Sequence, residues 1–402
     1  MNVCFVCDEY PPVRHGGIGS ATRTLAHSLV EAGHQVRIIG ISRADETAPE
    51  FETDNGVQVW RIKSSVRRVG WIHARYMLYR TVSGWARQGL IDIVEAPDYQ
   101  GAVAGWPALQ VPVIARMHGS SSYFAVEMGK RPGRLTYFLE RASLRRADFH
   151  CSCSRYTADR TKHLFSLKGP DATVLYNYTA VPKDKSKELR VRGKVVFSGT
   201  LTPKKGVISL IRAWRAVIER CPSAELHMFG KEGVTDTGGS MQDYLESCLP
   251  QQARHTVHFH GHVGLAILRS AFRTANLAVF PSYSEAFALA PMEAMVEACP
   301  TIYSKRASGN ELIRDGKDGL LVNPDDPRDI AAAILQVLED SRLAGELGSA
   351  GKACIEQRFA PAVLIARNIE FFAECTRAYR DRIHVRAQNQ VVPSAEVTTA
   401  KR

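Results

Sequence analysis

Short, almost wholly apolar runs alternate with amphipathic stretches along the chain, and the alternation happens twice. In the first pass Val3–Cys7, Gln35–Ile41, Val57–Ile62, Ile91–Val94, Val111–Met117, Ala147–Cys151 and Ala172–Tyr176 read as strands. Helices fall at Ile18–Ala32 and in the seventies and eighties. In the second pass the strands are Lys194–Phe197, Glu225–Phe229, Val257–His260, Leu277–Phe280 and Thr301–Tyr303. Runs this apolar are buried on both faces, which means parallel sheets flanked by helices. Between the passes Lys183–Gly193 (KDKSKELRVRG) is polar and without apolar periodicity, and reads as a linker. The expected fold class is therefore α/β, two doubly wound Rossmann-like sheets with ligands at the carboxyl ends of their strands. The domains expected are residues 1–185 and 194–361, then a long helix from Pro361 to about Arg382 and a disordered polar tail, 385–402.

Composition narrows the class. With 402 residues, 45% apolar and 23% charged, the chain suits two soluble globular domains. No apolar run approaches the roughly 20 residues that span a bilayer, and MNVCFVCDEYPP has no basic n-region or cleavage site, so the expected compartment is cytoplasmic. Nine scattered cysteines, an odd number, argue for free thiols in a reducing compartment. Cys4/Cys7 and Cys151/Cys153 sit in apolar strand-like segments without histidines, and read as core residues rather than zinc or redox pairs. A net charge of +11 asks for an anionic partner. No aromatic-basic module or zinc-finger spacing points to nucleic acid, whereas phosphorylated substrates or an anionic membrane surface explain the charge.

The most informative stretch is Phe280–Asn323. It reads as strand, loop, helix, short strand, a turn of helix and a closing strand. Glu285 stands in the loop and Glu293 in the helix, with seven residues between them, and Glu311 follows Ser308-Gly309-Asn310. Free N–H groups at a helix start suit a phosphate. Carboxylates accept two hydrogen bonds from a vicinal diol, so these parts suit a nucleotide sugar. Elsewhere Tyr10–Gly19 joins the first strand to its helix through Gly16 and Gly17, a plain tight turn or a place where backbone approaches a ligand. Arg14 and His15 lie on the same loop. Glu95, Asp98 and Tyr99 follow a strand end where they would shape an acceptor pocket, and His118 ends another strand. No Asp-x-Asp occurs, so no metal bridging a diphosphate is expected, and no cofactor.

Glu285-Ala286-Phe287-Ala288, Met292-Glu293-Ala294-Met295, Cys299-Pro300, Glu311-Leu312-Ile313 and Asp315–Val322 fill, in order, a pattern usually written E-G-F-G, L-E-A-M, G-x-P, E-I-V and D-G-x-T-G-L-L-V. This string closely resembles the C-terminal signature of the retaining glycosyltransferases of family 4, which have the GT-B fold. The resemblance implies that Glu285 sits by the donor sugar, Glu293 holds the ribose diol, and the loop Ser308, Gly309, Asn310, Glu311 brings N–H groups to sugar or phosphate. Gly16 and Gly17 match the family's loop near the donor phosphates, and His118 its histidine that contacts the donor sugar. Phe197–Gly206 resembles the segment G-R-L-x-x-x-K-G, whose arginine and lysine clamp the pyrophosphate. Lys205 fits the lysine, but Thr200 stands at the arginine. Lys204 compensates, or the clamp is differently arranged, since the two cations are not equivalent at a bidentate site. The C-terminal helix is implied to cross back onto the first domain.

The activity implied is metal-independent transfer of a hexose-type sugar from a nucleotide-diphosphate sugar to a hydroxyl of a glycan or lipid-linked acceptor, with retention. Two alternatives stay open: a nucleotide-sugar epimerase of similar architecture, and a non-catalytic binding subunit. Residues 130–146 carry six cations and one acid. At helical spacing Leu135, Phe138, Leu139 and Ala142 share one face, with Arg134, Arg141 and Arg145 beside it. This helix either docks on the inner face of a membrane or packs on the sheet with a solvated basic edge.

Overall fold

The computed structural model describes the chain except residues 14–15, 44, 65–69, 182–187 and 391–402. Arg14 and His15 thus lie outside the described residues. The first sheet contains β1 (Asn2–Val6), β2 (Gln35–Arg43), β3 (Phe51–Asp54), β4 (Val57–Ser64), β5 (Ile93–Pro97), β6 (Val113–Met117), β7 (Phe149–Ser152) and β8 (Thr173–Val174). Their spatial order is β3-β4-β2-β1-β5-β6-β7-β8. The second contains β9 (Lys194–Ser198), β10 (Glu225–Phe229), β11 (Val257–Gly261), β12 (Leu277–Phe280), β13 (Thr301–Ser304) and β14 (Leu320–Val322), ordered β11-β10-β9-β12-β13-β14. Every neighbouring pair is parallel except β3 and β4.

β3 is the one strand absent from the sequence reading. Its FETD text is half-exposed and charged, but the turn that follows, Asn55-Gly56, has both residues at positive φ (48° and 85°). That is the hairpin signature of an Asn-Gly pair.

Each sheet reverses direction once. The chain leaves β1 toward β2 and later returns to β5 on the other side, and it leaves β9 toward β10 and returns to β12. Loops that diverge at such a reversal leave a crevice at the carboxyl edge. The loops after β1 and β5, and those after β9 and β12, carry most of the sequence-identified residues.

Packing fixes these edges. On the helix Val207–Arg220, Val207, Leu210, Ile211, Trp214 and Val217 face the second sheet and are buried. Trp214 is sealed, its indole N–H donating to Thr256 Oγ1 at 2.9 Å, and truncating it to alanine would cost about 3–5 kcal/mol. The C-terminal helix, Pro361–Gln390, lies against the first sheet. Phe372 meets Phe5 edge-on at 6.4 Å, and the Tyr379 hydroxyl donates to the Leu109 carbonyl at 2.7 Å. The helix runs on to Gln390 rather than ending near Arg382, so the expected disordered tail does not start at 385. Arg382, at the predicted end, stacks over the Phe149 ring at 4.4 Å, so the docked face is still in contact there. Of the expected linker, Glu188 is paired with Arg273 and the Val191 N–H bonds the Thr274 carbonyl, which pins this part to the second sheet's helix Leu265–Thr274. All nine cysteines are free, and burial pushes the Cys4 and Cys7 thiols up to about 12. No helix among the described residues is long and apolar enough to cross a membrane.

Candidate active site

Lys205 reaches the crevice because of one glycine. Gly206 has φ +72°, and a Cβ there would lie 1.8 Å from the Pro281 carbonyl oxygen. The chain after β9 therefore presses against the loop after β12. The Tyr283 N–H donates to the Lys204 carbonyl at 2.8 Å, and the Ser209 and Tyr283 hydroxyls meet at 2.8 Å. With the loops so joined, Lys205 Nζ donates to Glu285 Oε1 at 2.5 Å. Burial alone would raise the Glu285 carboxyl, but the charges of Lys205 and Lys204 outweigh it and hold it below its usual value. Lys204 turns the other way and sits 3.6 Å above the Phe124 ring, which belongs to the first half of the chain. Burial lowers its ammonium. Thr200 is exposed beside them.

Glu293 lies on the helix Leu289–Val296, and its carboxyl is raised by burial, with Arg269 opposing. No hydrogen bond or ion pair engages this carboxylate among the described residues. Glu311 behaves otherwise. Its two oxygens accept the N–H groups of Arg155 and Tyr156, both at 2.8 Å, and so cap the helix Arg155–Phe165 of the first half. The expected N–H cradle is also partly used internally. Gly309 N–H bonds the Arg306 carbonyl and Glu311 N–H that of Ser308. Gly309 is required by chain packing, since a Cβ would lie 1.9 Å from the Ser304 carbonyl oxygen. Ser308 is sealed and its Oγ has no hydrogen-bond partner among the described residues, while Asn310 is exposed.

On the facing edge, Gly16 and Gly17 are exposed at the start of the helix Gly17–Glu31, which has neither a side-chain cap nor an acid in its first turn. Gly16 N–H donates to Glu9 Oε2 at 3.0 Å, and a side chain at Gly17 would meet nothing within 4 Å. His118 follows β6. Burial first, then the charge of Arg116, lowers its imidazole to about 3, so it is neutral near pH 7. Asp98, fully buried, accepts the His118 backbone N–H at 2.9 Å, and burial raises its carboxyl to about 7. Tyr99 is half-buried. Glu95 is not open to an acceptor: it is buried and pairs bidentately with Arg116, both bonds 2.8 Å, while Arg116 also donates to Asn368 of the C-terminal helix at 2.7 Å. Arg116, His118, Tyr176, Asn177 and Asn368 nonetheless line one cavity with Glu95.

Further bonds cross the cleft. Ser154 Oγ and Thr157 Oγ1 both donate to the Ala286 carbonyl, at 2.7 and 3.1 Å, and Asn177 Nδ2 donates to that of Phe287 at 3.2 Å. The sequence reading missed Ser154, Thr157 and Asn177. Ser154 carried a signal, a serine opening a helical stretch, where it does cap the helix by accepting from Thr157 N–H.

Two doubly wound sheets facing across a cleft, with a lysine and carboxylates at the reversal of the second sheet, define the GT-B class of fold. Known proteins agree. Sucrose-phosphate synthase from Thermosynechococcus elongatus superposes with a TM-score of 0.78 at 19% identity, covering 94% of this chain and 100% of that one. The Anabaena protein HepE, solved with UDP and glucose, gives 0.71 at 18% identity, covering 93% and 100%. In sequence, an uncharacterized glycosyltransferase of Methanocaldococcus jannaschii is 27% identical over 85% of this chain and 90% of its own length. Glycogen synthase of Mycobacterium tuberculosis is 26% identical over 85% and 86%. Residues 192–340 match the family described as glycosyl transferases group 1, and residues 16–177 the glycosyl transferase 4-like domain. The chain belongs to this family of GT-B glycosyltransferases, family 4.

Proposed function

We propose that this glycosyltransferase moves a hexose-type sugar from a nucleotide-diphosphate sugar to a hydroxyl of a glycan or lipid-linked acceptor, with retention of configuration and without a metal, in polysaccharide or glycoconjugate assembly. The observation that carries the reading is the pairing of roles at the second sheet's reversal: Lys205 held at Glu285, and Glu293 partly buried with no protein partner. A ribose diol supplies the two donors that Glu293 lacks. The diphosphate competes with Glu285 for Lys205, and Lys204 adds a second cation close by. Both stabilise the charge that grows on the leaving diphosphate as the C1–O bond breaks. His118, a neutral imidazole, contacts the donor sugar, and the helix start at Gly16-Gly17, where a phosphate would displace Glu9 from the Gly16 N–H, faces the phosphates. The acceptor hydroxyl bonds to C1 on the face the diphosphate leaves, and its proton passes to a departing phosphate oxygen. UDP and glucose bound to HepE make UDP-glucose the first donor to try. Glycogen synthase among the relatives supports a glycan acceptor.

A membrane surface fits the helix Arg134–Arg146. Half of the expected apolar face stands away from the protein: Leu135 and Phe138 are 68% and 65% exposed, Leu139 and Ala142 are half-buried, and Glu140, Ser143 and Leu144 are buried. Glu140 accepts the N–H groups of Gln100, Ser121 and Ser122, which leaves the outward side basic and apolar.

The test is nucleotide release from UDP-, GDP- and ADP-sugars in EDTA, by wild type and Glu293→Ala. Slow release by wild type, lost in the variant, is the expected result. Donor binding with no release under any acceptor favours a binding subunit, sugar interconversion without acceptor favours an epimerase, and no donor binding refutes the site.

A further inference from the structure

A second cluster of side chains lies away from the Lys205–Glu285 pair. β10 and β11 run parallel in the register Leu226↔Val257, His227↔His258, Met228↔Phe259, with a shift before Phe229↔Gly261. Strand alternation sends Leu226 and Met228 into the core between the sheet and its helices. Glu225 and His227 therefore emerge on the opposite face, beside His258. Glu225 Oε2 is 3.4 Å from His227 Nε2 and 3.7 Å from His258 Nε2, and the three ligand atoms lie within 4.8 Å of one another.

These distances are informative. They are too long for N–H···O hydrogen bonds, which run to about 3.2 Å. The first matches, and the second slightly exceeds, the separation of two ligands on one tetrahedral ion, because bonds of about 2.0–2.2 Å place ligand atoms roughly 3.3–3.6 Å apart. His258 Nε2 is buried and has no hydrogen-bond partner among the described residues. A buried ring nitrogen without a partner needs an explanation. The same strand supplies an outer layer. Alternation puts His260, left unpaired by the shift, on the same face as His258, stacked on Phe229 at 4.4 Å, with its Nε2 3.0 Å from His227 Nδ1. If Nδ1 of His227 carries the proton and donates to His260, the lone pair of Nε2 points at the shared position. A second-layer acceptor of this kind fixes the tautomer of many metal-binding histidines. The charge of Lys194 of β9 reaches His227 and His260, and its ammonium is tied to Thr274 Oγ1 at 2.7 Å.

We propose that Glu225, His227 and His258 bind one divalent ion of the borderline class, zinc in the first instance, with His260 orienting His227. Two imidazoles and a carboxylate are a donor set for zinc, cobalt or nickel rather than for calcium or magnesium. Glu225 opens β10, at the end opposite the carboxyl edge that faces the cleft. The ion clips the edge strand β11 to β10 and takes no part in holding the diphosphate.

The experiment uses full-length, tag-free protein, stripped with EDTA and dialysed into metal-free buffer, then titrated with Zn²⁺ by calorimetry. One ion per chain at micromolar affinity, together with a zinc-dependent rise in Tm, is expected. His227→Ala and His258→Ala should each weaken binding at least tenfold and abolish the rise. His260→Ala should weaken it about 10–100-fold, and His255→Ala, an exposed histidine outside the cluster, should change nothing. Co²⁺ in place of Zn²⁺ should give visible d–d absorption that the His258→Ala variant lacks. Circular dichroism of each apo variant establishes that it is folded. Absence of saturable wild-type binding, binding only at millimolar zinc, or affinity that is the same in His227→Ala and His258→Ala overturns the proposal.

Discussion

Separating Lys205 from Glu285 tests the organisation of the site without a substrate. Their side chains are 25% and 11% exposed, so the pair lies between a surface bridge and a sealed one. Surface pairs contribute about 0–1 kcal/mol, whereas stripping one partner from a buried pair costs about 3–5 kcal/mol. Lys204 remains nearby and offsets part of the loss, so Lys205→Met should destabilise by about 1–3 kcal/mol at pH 7. The sign with pH follows from linkage. Glu285 is held below its usual value, so it contributes stability that is complete above the unfolded carboxyl value of about 4.3 and is lost as pH falls through the folded value. In Lys205→Met burial dominates and the carboxyl rises, which costs stability at neutral pH and nothing once the group is protonated. The gap between wild type and variant should therefore be widest at pH 7 and close toward pH 4.

The assay is urea unfolding by circular dichroism at several pH values for wild type, Lys205→Met, Glu285→Gln and the double variant. The double variant should lose less than the sum of the singles, because it leaves no unpaired buried charge. A coupling energy below about 0.5 kcal/mol, or a gap that stays constant or widens toward acid, refutes the reasoning.

Three other outcomes follow from particular contacts. Glu311→Gln removes the charged cap of the helix Arg155–Phe165 and should cost about 1 kcal/mol; it also weakens a cleft bridge, so small-angle scattering should show a larger radius of gyration. Ala298 ends the helix Leu289–Val296 at φ +56°, with Cys299 N–H bonded back to the Ala294 carbonyl. Glycine is preferred at that position, so Ala298→Gly should stabilise by about 1 kcal/mol in urea unfolding. Asp98 is raised by burial to about 7, so its contribution is complete below an unfolded value of about 3.9 and is lost as pH rises through 7. Asp98→Asn can keep the His118 N–H bond and should show a flatter pH profile of Tm between pH 4 and 8.

What could be read in advance was whatever repeats locally. The buried strands are almost continuous apolar text, so their number and parallel sense were legible, and Leu277–Phe280 falls where expected. β3 escaped because a half-exposed edge strand has no such text, and only Asn55-Gly56 betrayed it. Lys205, Glu285 and Glu293 stood out through an ordered string of residues, yet nothing local says that two of them pair and the third is left without a partner. The capping of a helix by Glu311, across 156 positions, and the Arg116–Asn368 bond, across 252, depend on how the two sheets face each other. The Glu225–His227–His258 cluster depends on strand register. It is invisible until β10 is laid against β11.

The free protein has already matched most of its cleft charges. Glu285 holds Lys205, Glu311 holds a helix start and Glu95 holds Arg116, so a ligand must break bonds to use any of them. Glu293 alone among these carboxylates has no such bond among the described residues. A nucleoside diol therefore gains hydrogen bonds to a charged acceptor without displacing a protein partner, worth about 1.5–3 kcal/mol. A diphosphate must instead exchange with Glu285 for Lys205, and its net gain is smaller. On this reasoning the nucleoside of the working donor binds measurably by itself. Glu293→Ala should weaken that binding about 10–100-fold, while Lys205→Met should leave it unchanged and weaken only the diphosphate. Calorimetric titration of the nucleoside and its diphosphate into the three proteins decides it. Nucleoside affinity that falls with Lys205→Met, or survives Glu293→Ala, would mean that the two residues do not divide the donor in this way.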